Sequence, residues 1–247
     1  MNELPRNTVR ILDEDRTFGA VLSKEDLSAA RRYAIADVHE LSRGSYRADD
    51  LSDGSGLLGL LVLDGLLVRQ VAMAGRRCGE IIGPGALLRP WDDYGTGAPL
   101  PFELDWRVLK PVRFALLDKR FLAAILRWPP LIEAFVERAT ERAQTLAFNV
   151  AIHCVQRVDV KLLLLFWHLA DRFGKVTPAG TVVPLSLSHA DLAELVGAAR
   201  PSVSTALKCL AEQGFVQRNR ADRSWLLASE LPEQLQDIRR NGVRGAS

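Results

Sequence analysis

The chain has 247 residues, 48% hydrophobic and 25% charged, with a formal net charge of +2. That is long for one domain, comfortable for two and ordinary for a soluble globular protein, which excludes a disordered or fibrous chain. A total charge so close to zero decides nothing about nucleic acid, so the distribution of charge along the chain has to.

The longest unbroken apolar run, "LLLLFW" at 162–167, is too short to cross a bilayer, so no membrane partner is expected. The N-terminus lacks an apolar core after a basic start, and the expected location is the cytoplasm. Cys78, Cys154 and Cys209 are scattered without the paired spacing of a zinc site or a disulfide framework. Neither a metal nor an iron–sulfur cluster is expected as cofactor.

In chain order, "SKEDLSAARRYAIADVHEL" predicts a helix, with Ser23 as its cap and Asp26 three residues on. From Leu57 to Asp118 the chain turns Gly-rich and aliphatic in short pieces, punctuated by Asp64-Gly65 and Gly83-Pro84-Gly85. Pieces of that kind read as strands joined by tight turns, hence a small antiparallel barrel or jelly roll.

Pro129-Pro130 suits a helix start, and the residues after it hold no Gly or Pro until Gly174. Within this helix Ile132, Val136, Ala139, Ala143, Leu146 and Val150 follow a 4-3-4-3-4 spacing. That is the rhythm of a coiled-coil seam, and it predicts self-pairing into a homodimer. Leu131 and Phe135 form a second apolar edge, so the stripe could instead lie on the barrel. A second helix, "VDVKLLLLFWHLADRF", is apolar on most sides, as a wedge between domains would be. Gly174 ends it, and "KVTPAGTVVPLSL" reads as a loop or short strand.

Ser188-His189-Ala190-Asp191 fits a capping box that opens a helix with Leu192, Leu195 and Val196 inward. Gly197 allows a turn with positive φ, and a second helix follows with Val203, Leu207 and Leu210 as its buried stripe and Gly214 as its stop. That order is a helix-turn-helix. Arg200, Pro201, Ser204 and Thr205 then occupy the outward, base-reading side of the second helix. Arg200 suits guanine O6 and N7, and Thr205 suits a thymine methyl or a polar base edge. Ser188, Ser202 and Lys208 suit phosphates. "FVQRNRADRSWLL" predicts a basic hairpin, a wing carrying Arg218, Arg220 and Arg223. Between 200 and 223, five basic residues stand against Glu212 and Asp222 alone.

On these residues, above all "LSHADLAELVGAARPSVSTALKCLAEQGFV", the sequence resembles the CRP/FNR family of bacterial transcription regulators. The resemblance implies an α+β chain: a cyclic-nucleotide-binding-like β-roll as sensory domain (1–127), a dimerisation helix (128–155) and a winged helix-turn-helix (156–247). It further implies a homodimer on inverted-repeat double-stranded DNA, with RNA polymerase as a further partner. Pro201 replaces the family's frequent Glu, Thr205 replaces a second Arg, and Ala199 stands where a Ser cap is common. The family's usual base preference is therefore not carried over. Phe102-Glu103 fall where cyclic-nucleotide binders hold Arg-Ser or Arg-Thr, and Gly79-Glu80 precede the "GPG" turn, so a cyclic nucleotide is not the expected effector.

Three other signals are weak. Gly54-Ser55-Gly56-Leu57-Leu58-Gly59 matches a dinucleotide-binding pattern but runs into a strand rather than a helix. His39, His153, His168 and His189 have no metal-ligand spacing, although His153, near the end of the dimer helix, is placed to feel pH. "RPWDDY" holds two carboxylates without a partner motif, so no enzyme is expected. The rival to DNA reading is a ligand sensor whose winged helix docks a protein.

Overall fold

The computed structural model describes residues 7–47, 50, 58–89 and 102–229. Residues 54–57 of the dinucleotide-like pattern and 90–94 of "RPWDDY" lie outside the described residues. The chain divides into two compact units, Met1–Phe148 and Asn149–Ser247.

The first unit begins with β1 (Thr8–Arg10), α1 (Ile11–Glu14), α2 (Arg16–Gly19) and α3 (Lys24–Ala30). Ser23 caps α3, its hydroxyl accepting from the Asp26 amide at 3.1 Å. The helix expected to continue through "IADVHEL" does not: α3 stops at Ala30, and Ile35–Leu41 is strand β2. The reason is visible in burial, which alternates along Ala36, Asp37 and Val38 in the two-residue period of a strand.

Strands β3 (Gly44–Tyr46), β4 (Gly59–Met73), β5 (Arg76–Ile82), β6 (Leu87–Leu88) and β7 (Glu103–Leu117) complete a seven-stranded antiparallel sheet. Its order is β1-β2-β7-β4-β5, with β3 on β7 and β6 on β4. Gly83-Pro84-Gly85 is a tight turn, closed by the Ala86 amide donating to Gly83 O at 3.2 Å, with Gly85 at φ +82°. Asp64-Gly65, expected as a turn, lies inside the single long strand β4 as a bulge, where the register to β7 shifts. Gly65 has φ +98°, and a Cβ there would sit 2.2 Å from Pro111 O. The hairpin that does join β4 to β5 turns at Ala74-Gly75, both at positive φ.

Both faces of β4 are covered. Leu60, Val62 and Leu67 enter a core with Trp106, Val112 and Phe114. Leu61 enters a second core with Ile11, Phe18, Leu117 and Phe135. Helices α4 (Lys119–Ile125) and α5 (Pro129–Cys154) follow, α4 capped by Asp118. Leu131 and Phe135 of α5 are buried in that second core, and Ile132 packs against it. The boundary between the units falls inside α5, after Phe148, rather than at its end.

The second unit continues with α6 (Val158–Phe173), β8 (Lys175–Thr177), β9 (Gly180–Val183), α7 (His189–Val196), α8 (Arg200–Glu212), β10 (Val216–Arg218) and β11 (Trp225–Leu227). Its strands form one antiparallel sheet in the order β10-β11-β9-β8. Phe166 of α6 packs on Trp225 of β11 with ring centroids 5.0 Å apart. Leu162, Leu192, Val203 and Leu227 of the same unit are fully buried. Among the described residues, no helix is long and apolar enough to cross a membrane.

Candidate nucleic-acid interface

Helix α7 opens with a complete capping box: the Ser188 hydroxyl accepts from the Asp191 amide at 3.1 Å, and the Ser188 amide donates to Asp191 Oδ2 at 2.7 Å. Leu192, Leu195 and Val196 are buried, as is Ala193. Gly197 ends the helix at φ 61° and ψ 44°, a left-handed cap in which its amide and that of Ala198 return to carbonyls of the last turn.

Two groups that sequence reasoning did not place hold this turn. Lys161 of α6 is buried, and its ammonium donates to Val196 O at 3.2 Å, so a positive charge caps the C-terminus of α7. His153 lies against the turn itself, since a Cβ on Gly197 would stand 2.8 Å from its Nδ1. Burial, then the Lys161 charge, pushes the His153 imidazole below the ordinary histidine range, so it is neutral at pH near 7.

Helix α8 turns Val203, Leu207 and Leu210 inward. Ala199 at its N-cap makes no side-chain hydrogen bond, and Pro201 sits in its first turn. Its first-turn amides therefore have no side-chain acceptor at the cap, which suits an anion. On the outer side Arg200, Pro201, Ser202, Thr205 and Lys208 are exposed. Lys208 also pairs with Glu212 one turn on, at 3.8 Å between two exposed side chains. Ser204 is half-buried, and its Oγ shares a 2.8 Å hydrogen bond with His189 Nδ1.

The hairpin of β10 and β11 places Arg220 and Arg223 exposed at its tip, Arg223 with φ 60°. Asp222 organises the tip by accepting from the Ser224 amide at 3.0 Å and its hydroxyl at 2.7 Å. These bonds hold the Asp222 carboxyl below the usual carboxylate range. Arg218 differs from the other two. It is half-buried, lies 5.2 Å from the centre of the Trp225 ring and donates to Leu187 O at 3.4 Å, so it ties the hairpin to the segment just before α7.

Along α5, Val136, Ala139, Ala143 and Val150 are exposed, whereas Leu146 is half-buried. Val136 and Val150 keep 62% and 63% of their surface in solvent, unusual for β-branched aliphatics on a helix. In the first unit Glu80 is buried, with Arg69 Nε at 3.6 Å and Arg142 Nη2 at 3.2 Å from its Oε2. Glu103, at the start of β7, is exposed, and its carboxylate would repel a phosphate.

A capped helix, a left-handed glycine turn, a second helix with an apolar inner and a polar outer side, and a hairpin with a basic tip define a winged helix-turn-helix. Residues 160–237 match the family model of the Crp-like helix-turn-helix domain, so the second unit carries that domain. In the chain it follows an antiparallel β-sheet and a long helix, an order of elements for which solved structures of similar fold exist. No curated protein sequence matches the chain significantly. Among solved structures it resembles a cyclic nucleotide-binding domain containing protein from Listeria monocytogenes at a TM-score of 0.64 and 14% identity, over 88% of this chain and 99% of that one. A CooA mutant from Carboxydothermus hydrogenoformans matches at 0.59 and 15%, over 96% and 97%. A protein from Eubacterium rectale assigned to the crp/fnr family matches at 0.53 and 13%, over 91% and 99%. At these identities the likeness is one of fold.

Proposed function

We infer that the protein is a sequence-specific DNA-binding transcription regulator that acts as a homodimer on an inverted-repeat operator. The observation that carries this reading is the outer side of α8: Arg200, Pro201, Ser202, Thr205 and Lys208 all stand exposed above a fully apolar inner side. In this reading Arg200, Pro201, Ser204 and Thr205 meet base edges. Ser188, Ser202, Lys208, Arg220 and Arg223 meet phosphates, and Arg218 adds positive charge while it braces the wing.

The exposed Val136, Ala139, Ala143 and Val150 support pairing of two α5 helices, with Ile132 and Leu146 at the margin of the seam. Paired reading helices would then lie about 34 Å apart, one turn of DNA. The β-roll acts as the sensory part, and the charge of Glu103 favours an effector other than a cyclic nucleotide. RNA polymerase is the partner through which a bound dimer would act on transcription.

Selection of the purified protein against a random-sequence DNA pool, without added ligand, tests the reading. The expected product is a two-fold symmetric motif with half-sites about one helical turn apart. Binding that is absent, or insensitive to salt, would instead favour a winged helix that docks a protein.

A further inference from the structure

The hydrogen bond between His189 and Ser204 joins the first turn of α7 to the outer side of α8, in the middle of the surface offered to DNA. Two guanidinium groups act on this imidazole from different elements, Arg200 from α8 and Arg218 from β10. On its own helix Asp191 is committed to the Ser188 amide. The ring thus feels two cations and is bonded to a hydroxyl that stands among the proposed base-reading residues. Nδ1 is taken by Ser204, which leaves Nε2 as the second ring nitrogen.

We propose that His189 is a specificity-determining residue of the DNA interface: its protonation state sets what Ser204 presents to DNA, and a DNA phosphate near His189, Arg200 and Arg218 draws a solvent proton onto the ring. The proposal rests on the DNA-reading assignment made above.

The chemistry follows from counting donors. In the neutral tautomer that carries its proton on Nε2, Nδ1 accepts the Ser204 O–H, and the serine is left with lone pairs only. In the other neutral tautomer Nδ1–H donates to Ser204, but Nε2 then offers a lone pair, which repels a phosphate oxygen. The imidazolium alone satisfies both sides. Nδ1–H donates to Ser204 Oγ, the serine O–H is released to donate to a base acceptor, and Nε2–H can donate to a phosphate.

Without DNA, burial, then Arg218, then Arg200 keep the ring below the ordinary histidine range of 6.5, so it is neutral at pH about 7. The phosphates of the DNA backbone would oppose the two guanidinium charges and favour the charged form of the ring. Binding would then take up protons and tighten as pH falls through the DNA-bound midpoint, levelling off below the free one.

The test is operator affinity at constant salt between about pH 8 and pH 5.5, with the His189 ring followed by NMR in the free and bound protein. Wild type is expected to bind tighter as pH falls inside that window, by up to about tenfold per pH unit for each of the two rings of the dimer, with the ring midpoint raised by DNA. His189→Gln should flatten the profile while leaving the thermal unfolding midpoint unchanged. Ser204→Ala should keep the proton uptake but lose discrimination at one base pair of each half-site. A ring midpoint unmoved by DNA, or a pH profile that survives His189→Gln, overturns the proposal and leaves the DNA reading standing. Failure to bind DNA at any pH overturns both.

Discussion

Both units expose charge, but their buried and half-buried cations serve different ends. In the first, three arginines are used internally: Arg69 and Arg142 enclose Glu80, and Arg138 of α5 donates to Gly85 O at 3.2 Å and Thr17 Oγ1 at 2.6 Å. In the second, Arg200, Lys208, Arg220 and Arg223 stand exposed, and Lys161, the one buried cation among the described residues of this unit, serves a helix end. Charge used inside a unit builds its shape, whereas charge left outside marks where a partner of opposite sign comes. The internal pairs of the first unit hold α5 to its sheet, and the exposed basic residues of the second stand on the helix-turn-helix and its hairpin.

The largest effect should come from breaking the internal pairing of the first unit. Glu80→Ala leaves two guanidinium groups largely buried without their carboxylate, at a cost of about 3–5 kcal/mol of stability in denaturant unfolding. An unchanged midpoint would mean that the pair is solvated and that the contrast between the units is false.

In the second unit Arg200→Ala should leave stability alone and cost about 1–3 kcal/mol of operator binding, with relaxed preference at one base pair. Equal losses on operator and random DNA would reduce Arg200 to a phosphate contact. Gly197→Ala acts on the turn between the two helices, where a left-handed residue bearing a Cβ costs about 1–2 kcal/mol, with His153 adding a clash. Ser188→Ala removes one cap and should cost about 1 kcal/mol in thermal unfolding.

What the sequence made legible follows the same division. The helix-turn-helix could be read because its determinants are local: Ser188 and Asp191 cap each other three residues apart, and Gly197 needs only its own φ. The strand character of residues 57–118 was legible too, but not the 15-residue continuity of β4, because residues buried on both its faces erase the alternation that would carry one strand through. Asp64-Gly65 looked like a hairpin for the same reason, since a bulge and a turn use the same residues and differ only in whether β7 runs on beside them. Lys161 and His189 were missed because their partners, Val196 O and Ser204, lie 35 and 15 residues away. No spacing rule joins a lysine in one helix to the last carbonyl of another.

The smallest expected effect is the one that pH reads most directly. His153 and His168 in the second unit are both held below the ordinary histidine range, chiefly by burial, helped by Lys161 for the first and Arg172 for the second. The unfolded chain therefore binds more protons than the folded one between the two midpoints. Stability is fully present above about pH 6.5, the unfolded value, and is lost as pH falls toward the folded midpoints. Chemical unfolding followed from about pH 7.5 to pH 5.5 should show that decline, and His168→Gln should lessen it. This is opposite in sign to the DNA affinity governed by His189, which should rise over the same window. A unit that weakens while its grip on DNA tightens would separate structural histidines from the interface one within a single titration. Parallel curves would mean that all three belong to one class, and that the outer side of α8 is not set apart from the core beneath it.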